Sequence, residues 1–182
     1  MIEAFDAQAT GGQFAEVLRT PDVVPSCLPQ AGPLGSRAPV QDAAALWVRD
    51  CLSKIHRGRL LLFDYCSTST PDIAVTPWRE WLRTYHDQSR GTHYLTDPGS
   101  QDITTQVMID QLPAGFTSST QADFLKQWGI NELVREGTAY WESMKNAPDV
   151  AAMKMRSRST EVLALANSEG LGAFKVLLSQ YL

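Results

Sequence analysis

The chain has 182 residues, of which 43% are hydrophobic and 20% charged, with a formal net charge of -4. This length and composition predict a folded domain with a sizeable hydrophobic core and exclude an intrinsically disordered chain. Because the acidic balance provides no broad basic field, we expect neither nucleic acid nor a membrane surface as a partner.

Beginning at the N-terminus, Ile2–Ala7 and Gln13–Leu18 are predicted to form a β-hairpin that turns through Thr10-Gly11-Gly12. Residues 21–39 contain five prolines and are predicted to form a loop. Apolar residues at helical spacing predict an amphipathic helix over Gln41–Ile55 that ends near Gly58. The apolar run Arg59–Tyr65 then predicts a strand covered on both faces.

The second half of the chain is predicted to be richer in helices. Ser67–Pro77 is polar and turn-rich, and Trp78–His86 is predicted to be a strand. Helices are predicted over Gln121–Trp128, Asn131–Met144 and Pro148–Ala166, and a final strand over Phe174–Leu182. Thr120 or Ser119 is expected to cap the first of these helices. The alternation of strands and helices predicts a single α/β domain over residues 1–182.

The chain offers no pattern typical of a metal site or a disulfide framework. Cys27, Cys51 and Cys66 are odd in number and widely spaced, and no His-x-x-x-His pair is present. We therefore assign no metal. The N-terminus lacks the features of a signal peptide, so we expect a cytoplasmic location.

The first candidate site is Asp64-Tyr65, at the end of the predicted buried strand. Ligands of open α/β sheets gather beyond the carboxyl ends of strands, and Asp64 has that position. A carboxylate that only pins the following Ser67–Thr70 loop is an equally good interpretation.

The second candidate is the turn Asp97-Pro98-Gly99, which could present Asp102 to a ligand. An aspartate that caps the next segment is the commoner explanation of such a pattern. A third candidate is a basic and aromatic group comprising Arg79, Arg83, Tyr85 and His86, since guanidinium groups bind carboxylates well. Surface ion pairing is the alternative for this group, and Trp78 and Trp81 fit core positions.

Four segments of the chain are Gly58–Tyr65, Arg79–Tyr85, Asp102–Thr104 and Thr120–Leu125. In their sequence and order they resemble the C-terminal half of the MidA-like S-adenosylmethionine-dependent methyltransferases. The resemblance strengthens at Gly58–Tyr65 and continues to Leu177. The family's Arg-Gly-Thr-Leu-Arg-x-Tyr segment looks matched by Arg79, Leu82, Arg83 and Tyr85, with Glu80 and Trp81 in place of its glycine and threonine. Its Asp-Ile-Thr looks matched by Asp102, Ile103 and Thr104, and its Thr-Gln-x-x-Phe-Leu by Thr120, Gln121, Phe124 and Leu125.

The resemblance implies part of a Rossmann-like class I methyltransferase fold, with an added β-hairpin and helical segment. It also implies S-adenosyl-L-methionine as cofactor and a protein substrate, with arginine as the methylated residue in the mitochondrial branch of the family. The family's glycine-rich donor loop would precede residue 1, so we expect a truncated, C-terminal portion and assign no cofactor-binding residue. The expected partners are a missing N-terminal half or a second copy in a homo-oligomer.

Within this portion, the resemblance and the polar residues together give five candidate catalytic residues: Asp64, Tyr65, Arg83, Asp102 and Gln121. Asp102 is the candidate for a carboxylate that orients the acceptor. The alternative function is a noncatalytic protein-interaction domain derived from the methyltransferase fold.

Overall fold

The computed structural model describes residues 3–10 and 13–181. Its strands are β1 (Ala4–Thr10), β2 (Gln13–Arg19), β3 (Gly58–Asp64), β4 (Cys66–Ser67), β5 (Arg83–His86), β6 (Ser89–Arg90), β7 (Asp102–Thr104), β8 (Val107–Met108), β9 (Thr117–Thr120) and β10 (Lys175–Tyr181). Its helices are α1 (Asp42–Ser53), α2 (Thr70–Val75), α3 (Trp78–Trp81), α4 (Gln121–Gln127), α5 (Ile130–Met144) and α6 (Val150–Leu165). Two 3₁₀ turns cover Ile109–Gln111 and Leu171–Ala173. None of the described helices combines the length and apolar character that a membrane crossing requires.

These elements group into two units. The first unit comprises Met1–Leu46 and Ser67–Leu112, and the second comprises Trp47–Cys66 and Pro113–Leu182. The mixture of strands and helices confirms the predicted α/β class. One domain over residues 1–182 stays a prediction.

The second unit is organised around a sheet with the strand order β3-β10-β9. Strand β10 runs antiparallel to both neighbours, so β3 and β9 are parallel to each other. Val176 and Leu177 of β10 are each only 1% exposed, although consecutive side chains of a strand point to opposite faces. The middle strand is therefore buried on both sides.

Strand β3 confirms the predicted strand at Arg59–Tyr65, but the prediction that both of its faces are covered is wrong. Burial alternates along β3, and Leu61 and Phe63 are 39% and 44% exposed. The ring of Phe63 meets the ring of Phe124 on α4 edge to face, with 5.5 Å between centroids. One short helix covers only part of that face, which explains the residual exposure.

The helices of the second unit follow the predicted bounds, and α4 follows the predicted capping. The Thr120 hydroxyl accepts a hydrogen bond from the backbone N–H of Asp123 at 3.1 Å, which confirms the predicted cap of α4. Asp149 caps α6 in the same way, accepting from the backbone N–H of Ala152 at 2.7 Å. Helices α4, α5 and α6 all lie within about two residues of their predicted bounds, which is the normal uncertainty of helix ends.

The first unit contains the predicted hairpin and a second small sheet. Strands β1 and β2 pair antiparallel, while the turn at Gly11-Gly12 lies outside the described residues. Strand β5 pairs antiparallel with both β6 and β7. A small core of Ile73, Trp81 and Met108 lies within this unit, and Trp81, at 5% exposure, occupies the core position expected of it.

The strand predicted over Trp78–His86 is wrong in its first half and correct in its second. Trp78–Trp81 form the short helix α3, and only Arg83–His86 form a strand. Pro77 precedes α3, and its carbonyl accepts from the backbone N–H of Glu80 at 2.9 Å. This local turn overrides the imperfect alternation of the sequence. The proline-rich segment 21–39 contains no helix or strand, as predicted.

Helices α5 and α6 approach closely at Gly137, and this contact provides a test of the packing. A Cβ atom at Gly137 would lie 2.6 Å from the backbone oxygen of Met155. A glycine-to-alanine change inside a helix normally stabilises the helix by about 1 kcal/mol. Here we expect Gly137→Ala to lower the free energy of unfolding by about 1–3 kcal/mol, because the two backbones must move apart.

Urea unfolding followed by circular dichroism measures this effect. Thr138→Ala, at the adjacent exposed position on α5, is the matched control and should raise stability by about 0.5 kcal/mol through helix propensity alone. A Gly137→Ala protein more stable than the wild type would contradict the described packing of α5 on α6.

Candidate functional site

The register of the second unit's sheet aligns three polar residues at one end. Lys175, the first residue of β10, lies opposite Asp64 of β3 and opposite Thr120 of β9. Asp64 and Thr120 are the last residues of two parallel strands, so the carboxyl ends of both strands meet here. We call Asp64, Tyr65, Thr120, Gln121 and Lys175 the sheet end. It contains three of the five predicted site residues.

The polar groups of the sheet end are largely engaged by their own neighbours. The Asp64 carboxylate accepts from the backbone N–H of Tyr65 at 2.8 Å, and the Tyr65 ring packs edge to face against Phe174. Gln121 is 8% exposed, and its side-chain nitrogen donates to the Leu165 carbonyl at 2.9 Å. This amide therefore ties the start of α4 to the end of α6.

The cysteine that follows the sheet end is held as a neutral thiol. Burial raises the pKa of Cys66 to about 11, and the neighbouring Asp64 carboxylate adds to the effect. The Cys66 thiol also lies 3.6 Å from the Asp64 carbonyl, to which it can donate. A thiol with this pKa is not ionised at neutral pH, so Cys66 is unsuited to nucleophilic chemistry.

The other two predicted site residues lie in the first unit. Arg83 on β5 is opposite Thr104 on β7, and Tyr85 is opposite Asp102. Because residues two apart on a strand share a face, Arg83 and Asp102 lie on the same face of this sheet. Arg83 is half-buried and Asp102 is exposed. The structure thus brings these two residues together on one surface.

The Asp97-Pro98-Gly99 turn is present and positions the start of β7. Asp97 has φ of 50° and Gly99 has φ of 91°, and the backbone N–H and hydroxyl of Ser100 both donate to the Asp97 carbonyl. Gln101 secures the turn, since its side-chain nitrogen donates to the carbonyls of His93 and Thr96 at 2.9 and 2.8 Å. Asp102 therefore follows a well-braced turn.

An ion pair between the middle of strand β2 and the proline-rich loop forms a cluster that the sequence did not predict. Arg37 donates from both terminal nitrogens to the two carboxylate oxygens of Glu16, at 2.9 and 3.0 Å. The Tyr94 hydroxyl donates to the same carboxylate. The Arg37 and Glu16 side chains are only 20% and 25% exposed. This hydrogen bond from Arg37 is the main reason that the pKa of Glu16 is lowered.

Trp78 completes this cluster, which we call the Trp78 cluster (Glu16, Arg37, Trp78, Arg79 and Tyr94). The guanidinium carbons of Arg37 and Arg79 lie 4.5 and 4.7 Å from the Trp78 ring centroid. Such distances give cation–π attraction. No local motif joins Glu16, Arg37 and Tyr94, because they are separated by as many as 78 positions.

Two surface clefts adjoin the cluster. The first, of about 580 Å³, is lined by residues 13–16, His93 and residues 95–98. The second, of about 390 Å³, is lined by Trp78, Arg79, Leu82, Thr84 and residues 90–94. We call the second one the arginine cleft, since Arg79 and Arg90 both line it. Both clefts lie within the first unit.

Residues 2–126 match the model of a protein family described as "Putative S-adenosyl-L-methionine-dependent methyltransferase". The chain belongs to this family. The match covers more than half of the chain and includes the segments around Asp64, Arg83 and Asp102. No curated protein matches the sequence.

Two crystal structures from Burkholderia thailandensis are similar to 98% of the chain at 19% sequence identity. One is an uncharacterised COG1565 superfamily protein; its TM-score is 0.71, and the chain covers 49% of it. The other is a superfamily member bound to S-adenosyl-homocysteine; its TM-score is 0.75, and the chain covers 47% of it. The chain thus has the fold of this superfamily, as the resemblance implied, and spans about half the length of these neighbours.

The Glu16–Arg37 pair should make the free energy of unfolding depend on pH in the acidic range. Because the pKa of Glu16 is lowered from its usual 4.5, the pair stabilises the folded state above pH 4.5. This stabilisation is lost as pH falls through the folded-state pKa. We expect Glu16→Gln to cost about 1–2 kcal/mol at pH 7 and to flatten the loss of stability below pH 4.5.

Urea unfolding of both proteins between pH 7 and pH 3 measures the difference. Glu169→Gln, at an exposed position, is the control and should follow the wild-type curve. Superimposable pH profiles for the wild type and Glu16→Gln would show that the pair contributes nothing to folding.

Proposed function

We propose that this chain forms the acceptor-side part of an S-adenosyl-L-methionine-dependent methyltransferase that modifies a protein. The observation that supports this proposal most directly is the correspondence of 98% of the chain to a structure bound to S-adenosyl-homocysteine, the product of methyl donation. Membership of the methyltransferase family supports the same reaction. The proposal assigns the chain to the side of the site that receives the methyl group.

The described residues do not fit a complete site for the methyl donor. At the sheet end, the Asp64 carboxylate is engaged by Tyr65, and the Gln121 amide nitrogen by Leu165. The Thr120 hydroxyl closes the N-terminus of α4 by capping it. Neither of the two clefts is lined by a residue of the sheet end. We therefore derive no step in which these residues alone hold the donor.

The residues of the second sheet suit an acceptor better. Asp102 is exposed at the start of β7, directly after a braced turn, and a carboxylate is a strong partner for a cationic acceptor such as arginine. Arg83 lies on the same face of the sheet. In this proposal Asp102 orients the acceptor side chain, and Arg83 balances the carboxylate charge. Methyl transfer is a displacement that depends strongly on such positioning.

A noncatalytic protein-interaction domain is the second candidate. The observation that favours it is the incomplete donor site among the described residues. The two candidates differ in whether the chain takes part in transfer of a labelled methyl group.

The test is transfer of tritiated methyl groups from S-adenosyl-L-methionine into protein, with the longest in-frame polypeptide that the gene encodes. We expect Asp102→Asn to lower kcat about 10- to 100-fold, because a charged hydrogen bond to the acceptor is lost. Affinity for the donor should stay unchanged. Asp87→Asn is the matched control, since Asp87 is an exposed aspartate of the same sheet's β5–β6 turn, and this variant should retain full activity.

Equal activity of the two variants would remove Asp102 from the site. If replacement of all five candidates (Asp64, Tyr65, Arg83, Asp102 and Gln121) leaves activity intact, the acceptor side lies elsewhere. An active wild type without any of these effects would still support methyl transfer, so the reaction and the residue assignments are tested separately.

A further inference from the structure

The arginine cleft has a charge opposite to that of the chain as a whole. Arg79 and Arg90 line it, together with the apolar and aromatic side chains of Trp78 and Leu82. None of its described lining residues is acidic. The chain nevertheless carries 20 acidic residues against 16 basic ones. A positive cleft in an acidic protein is suited to an anionic ligand.

The Trp78 cluster contains two arginines that differ in one respect. Both guanidinium groups lie against the Trp78 ring at similar distances. Arg37 is neutralised by the two oxygens of Glu16. For Arg79, the described part of the chain supplies no carboxylate within 4 Å. Within the cluster, the guanidinium group of Arg37 thus has an acidic partner, whereas the guanidinium group of Arg79 faces the cleft.

Arg90, on strand β6, repeats the arrangement that Arg79 has on helix α3. It lies opposite Tyr85 in the β5–β6 pair, and its guanidinium carbon is 5.9 Å from the Tyr85 ring centroid. Again, no acidic side chain of residues 3–10 or 13–181 forms an ion pair with it. Stacking on an aromatic ring restricts a guanidinium group and leaves its N–H donors for a ligand.

The glycine beside Arg90 keeps this strand close to its neighbours. A Cβ atom at Gly91 would lie 2.3 Å from the Gln101 side-chain oxygen and 2.9 Å from the Thr84 hydroxyl. Gln101 also accepts from the backbone N–H of Thr92 at 3.1 Å. The wall that carries Arg90 is therefore fixed to the turn that precedes Asp102.

We propose that the arginine cleft binds a carboxylate-bearing segment of the protein acceptor, an inference that rests on the proposed function. Arg79 and Arg90 receive an acidic side chain, and Trp78 and Leu82 contact an adjacent apolar residue. The cleft thereby selects acceptors in which an acidic and an aromatic or aliphatic residue lie near the methylated position. Neither arginine takes part in methyl transfer.

The experiment measures peptide binding to the full chain by calorimetry, without any methyl donor. The probe is the peptide acetyl-Gly-Asp-Tyr-Glu-Gly-amide, and its Asn/Gln counterpart is the uncharged control. We expect the acidic peptide to bind more tightly, and to weaken as salt rises, because an open cleft is screened by ions. Arg79→Gln and Arg90→Gln should each weaken it about fivefold.

Arg156→Gln is the matched control variant. Arg156 also stacks on a tryptophan, with 4.8 Å to the Trp141 ring, but Trp141 and Arg156 do not line the cleft. Binding of the acidic peptide to Arg156→Gln should equal that of the wild type. Thermal unfolding of each variant establishes that it is folded.

Three outcomes would overturn the proposal. The first is equal binding of the acidic and uncharged peptides, and the second is an equal loss in Arg156→Gln and Arg79→Gln. The third is displacement of the peptide by inorganic phosphate at concentrations below the peptide's own Kd, which would assign the cleft to a phosphate group. Because no donor is present, failure here is distinguishable from failure of the methyl-transfer assay.

Discussion

Strand β10 determines the geometry of the second unit. It lies between β3 and β9, and its antiparallel pairing with both makes the two outer strands parallel to each other. Its register then places Asp64 and Thr120 at the same end, on either side of Lys175. The carbonyl of Phe174, just before β10, accepts from the backbone N–H of Gln121 at 2.7 Å, so the start of α4 is fixed as well. A shift of one residue between β10 and β3 alone would turn Leu177 to the other face relative to β3 and would move Asp64 out of line with Thr120.

In the first unit, the geometry depends on the charged groups around Trp78, which are the Glu16 carboxylate and the guanidinium groups of Arg37 and Arg79. One carboxylate, Glu16, accepts hydrogen bonds from both Arg37 and Tyr94, and it thereby joins the hairpin to two distant loops. The pair is strong because Arg37 donates two charge-assisted hydrogen bonds to the two oxygens of one carboxylate. Because Glu16 is paired with Arg37, it does not neutralise Arg79, which lines the arginine cleft. The arrangement that supports the fold thus also leaves Arg79 on the lining of the arginine cleft.

Much of the fold could be predicted because its signals are local. Thr120 marks the start of α4 and Asp149 the start of α6 with side-chain caps, and helical spacing of apolar residues marks α5. Strand β9 escaped prediction because its sequence, Thr-Ser-Ser-Thr, lacks apolar alternation; it is an edge strand among the described residues and depends on β10 for its structure. A strand was predicted at Trp78–Trp81, where the structure has helix α3, because the turn that begins at Pro77 competes with a weak strand pattern.

The site was less predictable than the fold. Asp64 and Asp102 could be selected because each follows a readable local pattern, a strand end and a Pro-Gly turn. Glu16, Arg37 and Tyr94 offered no such pattern, since each is an ordinary polar residue until the fold brings it to the others. The side-chain bond from Gln121 to Leu165 was equally invisible, because it joins helices 44 positions apart in the chain.

The central claim is that this chain supplies the acceptor side of a methyltransferase and does not by itself hold the methyl donor. Calorimetric titration of the purified chain with S-adenosyl-L-methionine and S-adenosyl-homocysteine tests this claim most directly. The account predicts no saturable binding by these 182 residues. Saturable binding of either compound would contradict it, and weaker binding by Asp64→Asn would then show that the sheet end is a donor site.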